Sequence, residues 1–227
     1  MRKVTYLFAA FITCISIGFQ AYAQQPNPES AKHVPSDESQ AILKQMQKKW
    51  HELQAVRINF TLQTVKKEKV TGTIKGTLWS KGNSYKLTIP DQIIYCDGKS
   101  TWNFLPSNNE VSINPCEESE SEFALNPLKI INNYEKYYRS AFIKETAEKG
   151  IAIQIIDLYP KQKQSFYKIR MVIQKDKLWP LRISVHEQDG SVDTYYFDQI
   201  TPNPKLTESF FQFDSNKYPQ VEIIDMR

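Results

Sequence analysis

The sequence is poor in the residues on which chemistry is usually built. Three cysteines and three histidines are spread over 227 residues. His33, His51 and His186 have no cysteine or carboxylate at ligand spacing, and no CxxC or Cys/His pattern suggests a metal. G-x-S-x-G, H-E-x-x-H and a phosphate-binding loop are all missing. These absences argue against an enzyme, and no cofactor is expected. The carboxylate pairs that do occur, such as Glu117-Glu118, fall in a polar loop and read as solvated charge. An excess of one charge is lacking too. Without the leader described next, 27 basic residues of the total 29 face 25 acidic ones. Basic residues do not interleave with aromatics as a nucleic-acid groove requires, so nucleic acid is excluded as a partner.

Long apolar runs are also scarce, and the one at the N-terminus is short. Arg2 and Lys3 precede an apolar stretch over residues 4–19, and Ala21-Tyr22-Ala23 forms an A-x-A cleavage signature. No stop-transfer pattern follows, so residues 1–23 are expected to be a cleaved secretory signal rather than an anchor. Phe11-Ile12-Thr13 before Cys14 lacks the small residue that lipidation of that cysteine would need. Residues 24–35 read as a polar, proline-bearing linker with little to bury. Residues 36–227 are expected to form one domain. Cys96 and Cys116 then remain, and in an oxidising compartment they form either one disulfide or two buried thiols.

What is present is a change of period. Ser36 is a fitting N-cap with Asp37 and Glu38 in the first turn, and Ile42, Leu43, Met46, Trp50 and Leu53 recur at helical spacing. From Val56 the period becomes two: Val56, Ile58, Phe60 and Leu62 alternate with polar residues, as a half-buried strand does. Val70, Gly72, Ile74, Gly76 and Leu78 alternate next, and glycines on that face suggest a bend or a close approach. Short strands follow, separated by turns such as Asp97-Gly98, Lys149-Gly150 and Asp189-Gly190. A helix over residues 123–138, with Leu128, Ile131 and Tyr134 as a partial stripe, interrupts the meander. The tail, with Phe210, Phe211, Phe213, Val221, Ile223 and Ile224, reads as one or two last strands. The fold class is mainly β with α: an unclosed antiparallel barrel of ten to twelve strands with a helical lid. A sheet that wide has room for an apolar cavity, suited to a lipid.

Several segments resemble the LolA-type periplasmic carriers of outer-membrane lipoproteins. The order runs helix, then Ala55-Val56-Arg57-Ile58-Asn59-Phe60-Thr61-Leu62-Gln63, then Gly76-Thr77-Leu78-Trp79-Ser80-Lys81, which is similar to the family's Gly-x-Leu-Trp-x-Lys segment. Tyr85 follows, and Ile94-Tyr95-Cys96-Asp97-Gly98-Lys99-Ser100-Thr101-Trp102-Asn103-Phe104 is similar to its Asp-Gly-Lys hairpin. Asn126-Pro127-Leu128 falls where the family places its lid. The resemblance implies a monomeric, non-enzymatic carrier of acylated lipoproteins or other lipids. It also implies a donor, the inner-membrane lipoprotein-releasing transporter, and an outer-membrane acceptor. It places Val56, Ile58, Phe60, Tyr85, Leu87, Trp102 and Phe104 in the wall of the acyl-chain cavity, and Leu128 and Ile131 in the lid. Where the family carries Arg-Pro, with the arginine bonded to the lid, this chain has Gly82-Asn83, which leaves Lys81 as the candidate lid contact. The other reading of the same half-barrel is an envelope sensor that binds a protein rather than an acyl chain.

Overall fold

The structure, a computed structural model, describes residues 36–116 and 127–227. Residues 1–35, expected to be signal and linker, and residues 117–126, which hold the acidic run and the first four residues of the helix expected over 123–138, lie outside the described residues.

Helix α1 spans Asp37–His51. The Ser36 hydroxyl caps it by accepting from the Ser39 amide at 3.2 Å, and accepts from the Phe142 amide at the same distance. Its stripe of Ile42, Leu43, Met46 and Trp50 is buried, as its spacing predicts. Six strands follow: β1 (Val56–Lys66), β2 (Lys69–Lys81), β3 (Ser84–Ile89), β4 (Gln92–Cys96), β5 (Ser100–Leu105) and β6 (Glu110–Pro115). Helix α2 (Pro127–Tyr137) leads with no intervening loop into β7 (Tyr138–Glu148). Then come β8 (Ile151–Pro160), β9 (Phe166–Gln174), β10 (Trp179–Glu187), β11 (Val192–Pro202) and the short β12 (Glu222–Asp225). No helix among the described residues is long and apolar enough to cross a membrane.

All twelve strands form one sheet in the order β12-β6-β5-β4-β3-β2-β1-β11-β10-β9-β8-β7. The ends do not pair, so the sheet is an unclosed half-barrel. Every pairing is antiparallel except β12 on β6, which is parallel. Irregularities at Asn59/Phe60, Thr64/Val65 and Phe142/Lys144 add the local twist that curls a wide sheet. Gly76 is a close approach: a Cβ there would collide with the Phe60 ring.

The tail follows its sequence reading only in part. Only Glu222–Asp225 is a strand. Phe210 and Phe211 sit in a 3-10 turn (Glu208–Phe211), and Phe213 follows it. Aromatics at consecutive and next-but-one positions cannot all face a sheet with period two, so the segment crosses the strands instead of pairing with them.

Candidate functional site: the trough beneath the two helices

The register decides which side chains face the trough. Directly paired residues share a face. Ile58 pairs with Leu78, Phe60 with Gly76 and with Phe197, Tyr85 with Cys96, and Leu87 with Ile94. Ile183 pairs with Met171, and Ile156 with Met171 from the other side. These residues, with Val56, Leu158, Ile169 and Tyr195, form one buried apolar cluster with the stripe of α1 and with Leu128, Ile130, Ile131 and Tyr134 of α2. Val56, Ile58, Phe60, Tyr85, Leu87, Leu128 and Ile131 are thus brought together.

Three expected site residues lie elsewhere. Cys96 pairs with Thr101 and Tyr95 with Trp102, so Trp102 and Phe104 are in the wall but on its outer face. The turn over residues 97–100 sets that parity. Phe104 packs instead on Tyr218 and Phe213, at ring separations of 4.3 and 5.2 Å. Lys81 shares the outer face with Trp79, two residues away on the same strand. It bonds the Glu208 carboxylate at 2.5 Å and the Leu206 carbonyl at 3.5 Å, and does not reach the lid. The inward neighbour is Ser80, opposite Val56 and Tyr85.

The trough is covered and largely filled. Leu43, Met46 and Ile58 have no exposure, and Leu87 and Ile131 have 1% each. Open space remains at one mouth, in two adjoining chambers. A chamber of about 150 Å³ is lined by Trp50, Leu53, Val56, Ser80 and Leu128, among others. A chamber of about 370 Å³ is lined by His51, Ser80, Asn83, Tyr85, Asn132 and Asn133, with Cys116 and Leu128. The latter volume lies at the low end of the ~300–1,000 Å³ common for ligand pockets. A more open furrow of about 490 Å³ lies by Phe60, Gly76 and Ile89. The polar mouth residues had no signal in the periodicity, because they sit at strand ends and on the rim of a helix.

Few polar links hold the helices down. The Ser39 and Ser140 hydroxyls lie 2.8 Å apart in the interior, the Gln47 amide donates to the Asn132 carbonyl at 2.8 Å, and Lys161 donates to the Glu135 carbonyl at 2.6 Å. The Cys96 and Cys116 sulfurs stand 2.7 Å apart as free thiols at the mouth. Burial, with Cys116 adding, pushes the Cys96 thiol up to about 12.

On the outer face several charged groups are paired or shielded. Arg170 holds the buried Asp157 through two bonds of 2.7 Å, and Arg182 holds Glu148 likewise. Lys86 lies 4.7 Å from the Tyr95 ring and 4.8 Å from the Phe210 ring. Burial, and then Lys217, lowers its pKa. Such arrangements are structural ion pairs and cation–π contacts. Among the described residues no group of three or more His, Cys, Asp and Glu side chains is placed to hold a metal.

A family model described as "Outer membrane lipoprotein carrier protein LolA" matches residues 51–214. An outer-membrane lipoprotein carrier protein of Legionella pneumophila (strain Lens) is 22% identical over 184 residues, 79% of this chain and 88% of the relative. Its counterpart in strain Corby matches to the same extent. In fold, the chain is similar to an uncharacterized conserved protein from Thermus thermophilus. The TM-score is 0.57 at 12% identity, over 83% of this chain and 99% of that one.

Proposed function

The chain belongs to the LolA family, and from that premise we propose that it is a monomeric, non-enzymatic periplasmic carrier that shelters the acyl chains of lipoproteins, or of another lipid, in its trough. It receives them from an inner-membrane lipoprotein-releasing transporter and yields them to an outer-membrane acceptor. The observation that carries this reading is the apolar inner face, continuous from β1 across β11 to β8, capped by helices rather than by strands.

The physics is competition for one surface. Burying an alkyl chain gains about 0.8 kcal/mol per methylene. The trough is already filled by Leu43, Met46, Leu128 and Ile131, so an arriving chain must displace them. Net affinity is then far below the gross burial, which suits a carrier that must release what it takes. The mouth chambers are where displacement starts, since Val56, Tyr85 and Leu128 border free space there.

The test is native mass spectrometry of the mature protein from its own envelope, beside Tyr85→Glu. A co-purifying acylated species, lost in the variant while the variant stays folded by circular dichroism, supports the reading. A clean apo mass in the parent protein, with no uptake of a fluorescent fatty acid, overturns it.

A further inference from the structure

The sheet ends at β7 and β12, but β2 also offers an unpaired edge inside the strand order. β2 has 13 residues and β3 only 6. β1 pairs with β2 from Lys69 to Ser80, whereas the β3 ladder stops at the pair Thr77 and Thr88. Residues 69–76 therefore have β1 on one side and, among the described residues, no strand on the other. Residues 69–75 are all exposed. We propose that this edge docks an extended, acidic segment of another protein, which adds to the sheet as a strand along the line that β3 leaves. The edge lies toward the β1–β2 turn, away from the mouth at Ser80 and Gly82, so the proposal stands apart from the carrier reading.

The backbone sets the kind of partner. A strand edge presents a row of N–H and C=O groups, and another extended chain is what matches that row. Val70-Thr71-Gly72-Thr73-Ile74 is rich in β-branched residues and holds no proline. Its side chains supply contact area. Ile74 pairs with Leu62 and shares its face with Val70, and the two are 38% and 56% exposed. An added strand would lay alternate apolar side chains beside them. The open furrow of about 490 Å³ lies where β3 stops. It is bordered by Phe60 and Gly76, which pair on one face of the sheet, and by Asn59 and Thr77, which pair on the other. The furrow is thus a notch in the edge rather than a branch of the trough, with room for a side chain of the added strand. Asp198 at the furrow accepts from Thr61 Oγ1 at 2.7 Å. Charge sets the partner's sign. Lys66 is held by Asp189, while Lys67, Lys69 and Lys75 stand exposed along the edge, with Glu68 as the single acidic residue among them. Two copies paired edge to edge would set these lysines against each other, and a strand bearing aspartate or glutamate would match them.

The test pans a random-peptide display library on the mature protein and synthesises the strongest binder in three forms: as selected, with alternate backbone amides N-methylated, and with its acidic residues replaced by lysine. Enriched peptides should alternate apolar residues and carry aspartate or glutamate. N-methylation should abolish binding, because it blocks strand pairing without changing charge. The lysine form should bind about tenfold more weakly at low salt, as expected of three exposed charge pairs together, and the gap should narrow as salt is raised. In Lys67→Glu/Lys69→Glu/Lys75→Glu the order of the acidic and lysine forms should reverse, with acyl-probe uptake unchanged. Bound peptide should slow hydrogen exchange of amides within residues 69–76. No enrichment, binding that tolerates N-methylation, or exchange protection at the mouth instead of β2 overturns the proposal. Self-association of the parent protein that the triple variant abolishes would assign the edge to a second copy and overturn the acidic partner. None of these outcomes bears on acyl-chain binding, which the native mass measurement tests separately.

Discussion

The sheet is covered on both faces, and the two covers are built differently. Inside, α1 and α2 lay mainly aliphatic side chains (Leu43, Met46, Leu128, Ile131) on a wall in which Ile58, Leu87 and Met171 stand beside Phe60, Tyr85 and Tyr195. Outside, the C-terminal segment lays Phe210, Phe213 and Tyr218 on Trp79, Tyr95 and Phe104, with the Lys86 ammonium among the rings. Ring contacts are directional, worth about 0.5–1.5 kcal/mol each beyond area, and no alkyl chain reproduces them. Aliphatic contacts are not directional, so an acyl chain offers the wall nearly what leucine and methionine offer. The outer cover is also tied by the β12 ladder, by Lys81 to Glu208 and by the Asn109 amide to the Gln220 carbonyl at 2.9 Å. On the proposed carrier reading, one face is made to stay shut and the other to exchange its contents.

The largest effect that tests this contrast is on stability. Phe104→Ala, deleting a ring that touches two others, should cost about 3–5 kcal/mol in denaturant unfolding, while acyl-probe affinity of the folded fraction stays unchanged. A change in probe affinity would show that the outer face belongs to the site after all.

The second effect concerns the cysteine pair at the mouth. Oxidation to a disulfide would close a loop of about twenty residues, worth roughly 3 kcal/mol. The double variant Cys96→Ser/Cys116→Ser should therefore be less stable than the oxidised protein by that amount and equal to the reduced one. Thiol titration after mild oxidation should find no free thiol. Two persisting thiols would leave the inner side without any covalent fastening.

The smallest effect lies on the outer face of β10, away from both covers. His186 Nε2 is buried without a hydrogen-bond partner, and its ring packs on Tyr167. Burial, and then the charges of Lys168 and Arg170, lower its pKa against an opposing pull from Asp157. The folded state therefore holds it neutral, while the unfolded chain protonates it near the usual value of about 6.5. Stability from this group is complete above that pH and declines as pH falls through it. Urea midpoints from pH 8 to 5 should fall less in His186→Gln than in the parent protein, and parallel curves would contradict the assignment.

Most of the fold was legible in the sequence because period-two alternation and turn residues are local. The stripe Ile42-Leu43-Met46-Trp50 marked α1, and Val56-Ile58-Phe60 marked the inner wall. Parity beyond a turn is not local. Trp102 and Phe104 alternate as well as Ile58 and Phe60 do, and only the ladder Cys96–Thr101 shows that they face outward. The same parity turned Lys81 from the lid to Glu208. The mouth asparagines belong to no pattern, since they meet only when α2 is laid beside the β2–β3 turn.

If cargo and helices compete for one trough, fastening a helix to the sheet must shut the cargo out. Ser39→Cys/Ser140→Cys, made in the Cys96→Ser/Cys116→Ser background, joins α1 to β7 at the point where the two hydroxyls stand 2.8 Å apart. Fluorescent acyl-probe uptake should be abolished in the oxidised protein and restored by reductant. Equal uptake in both states would contradict the account.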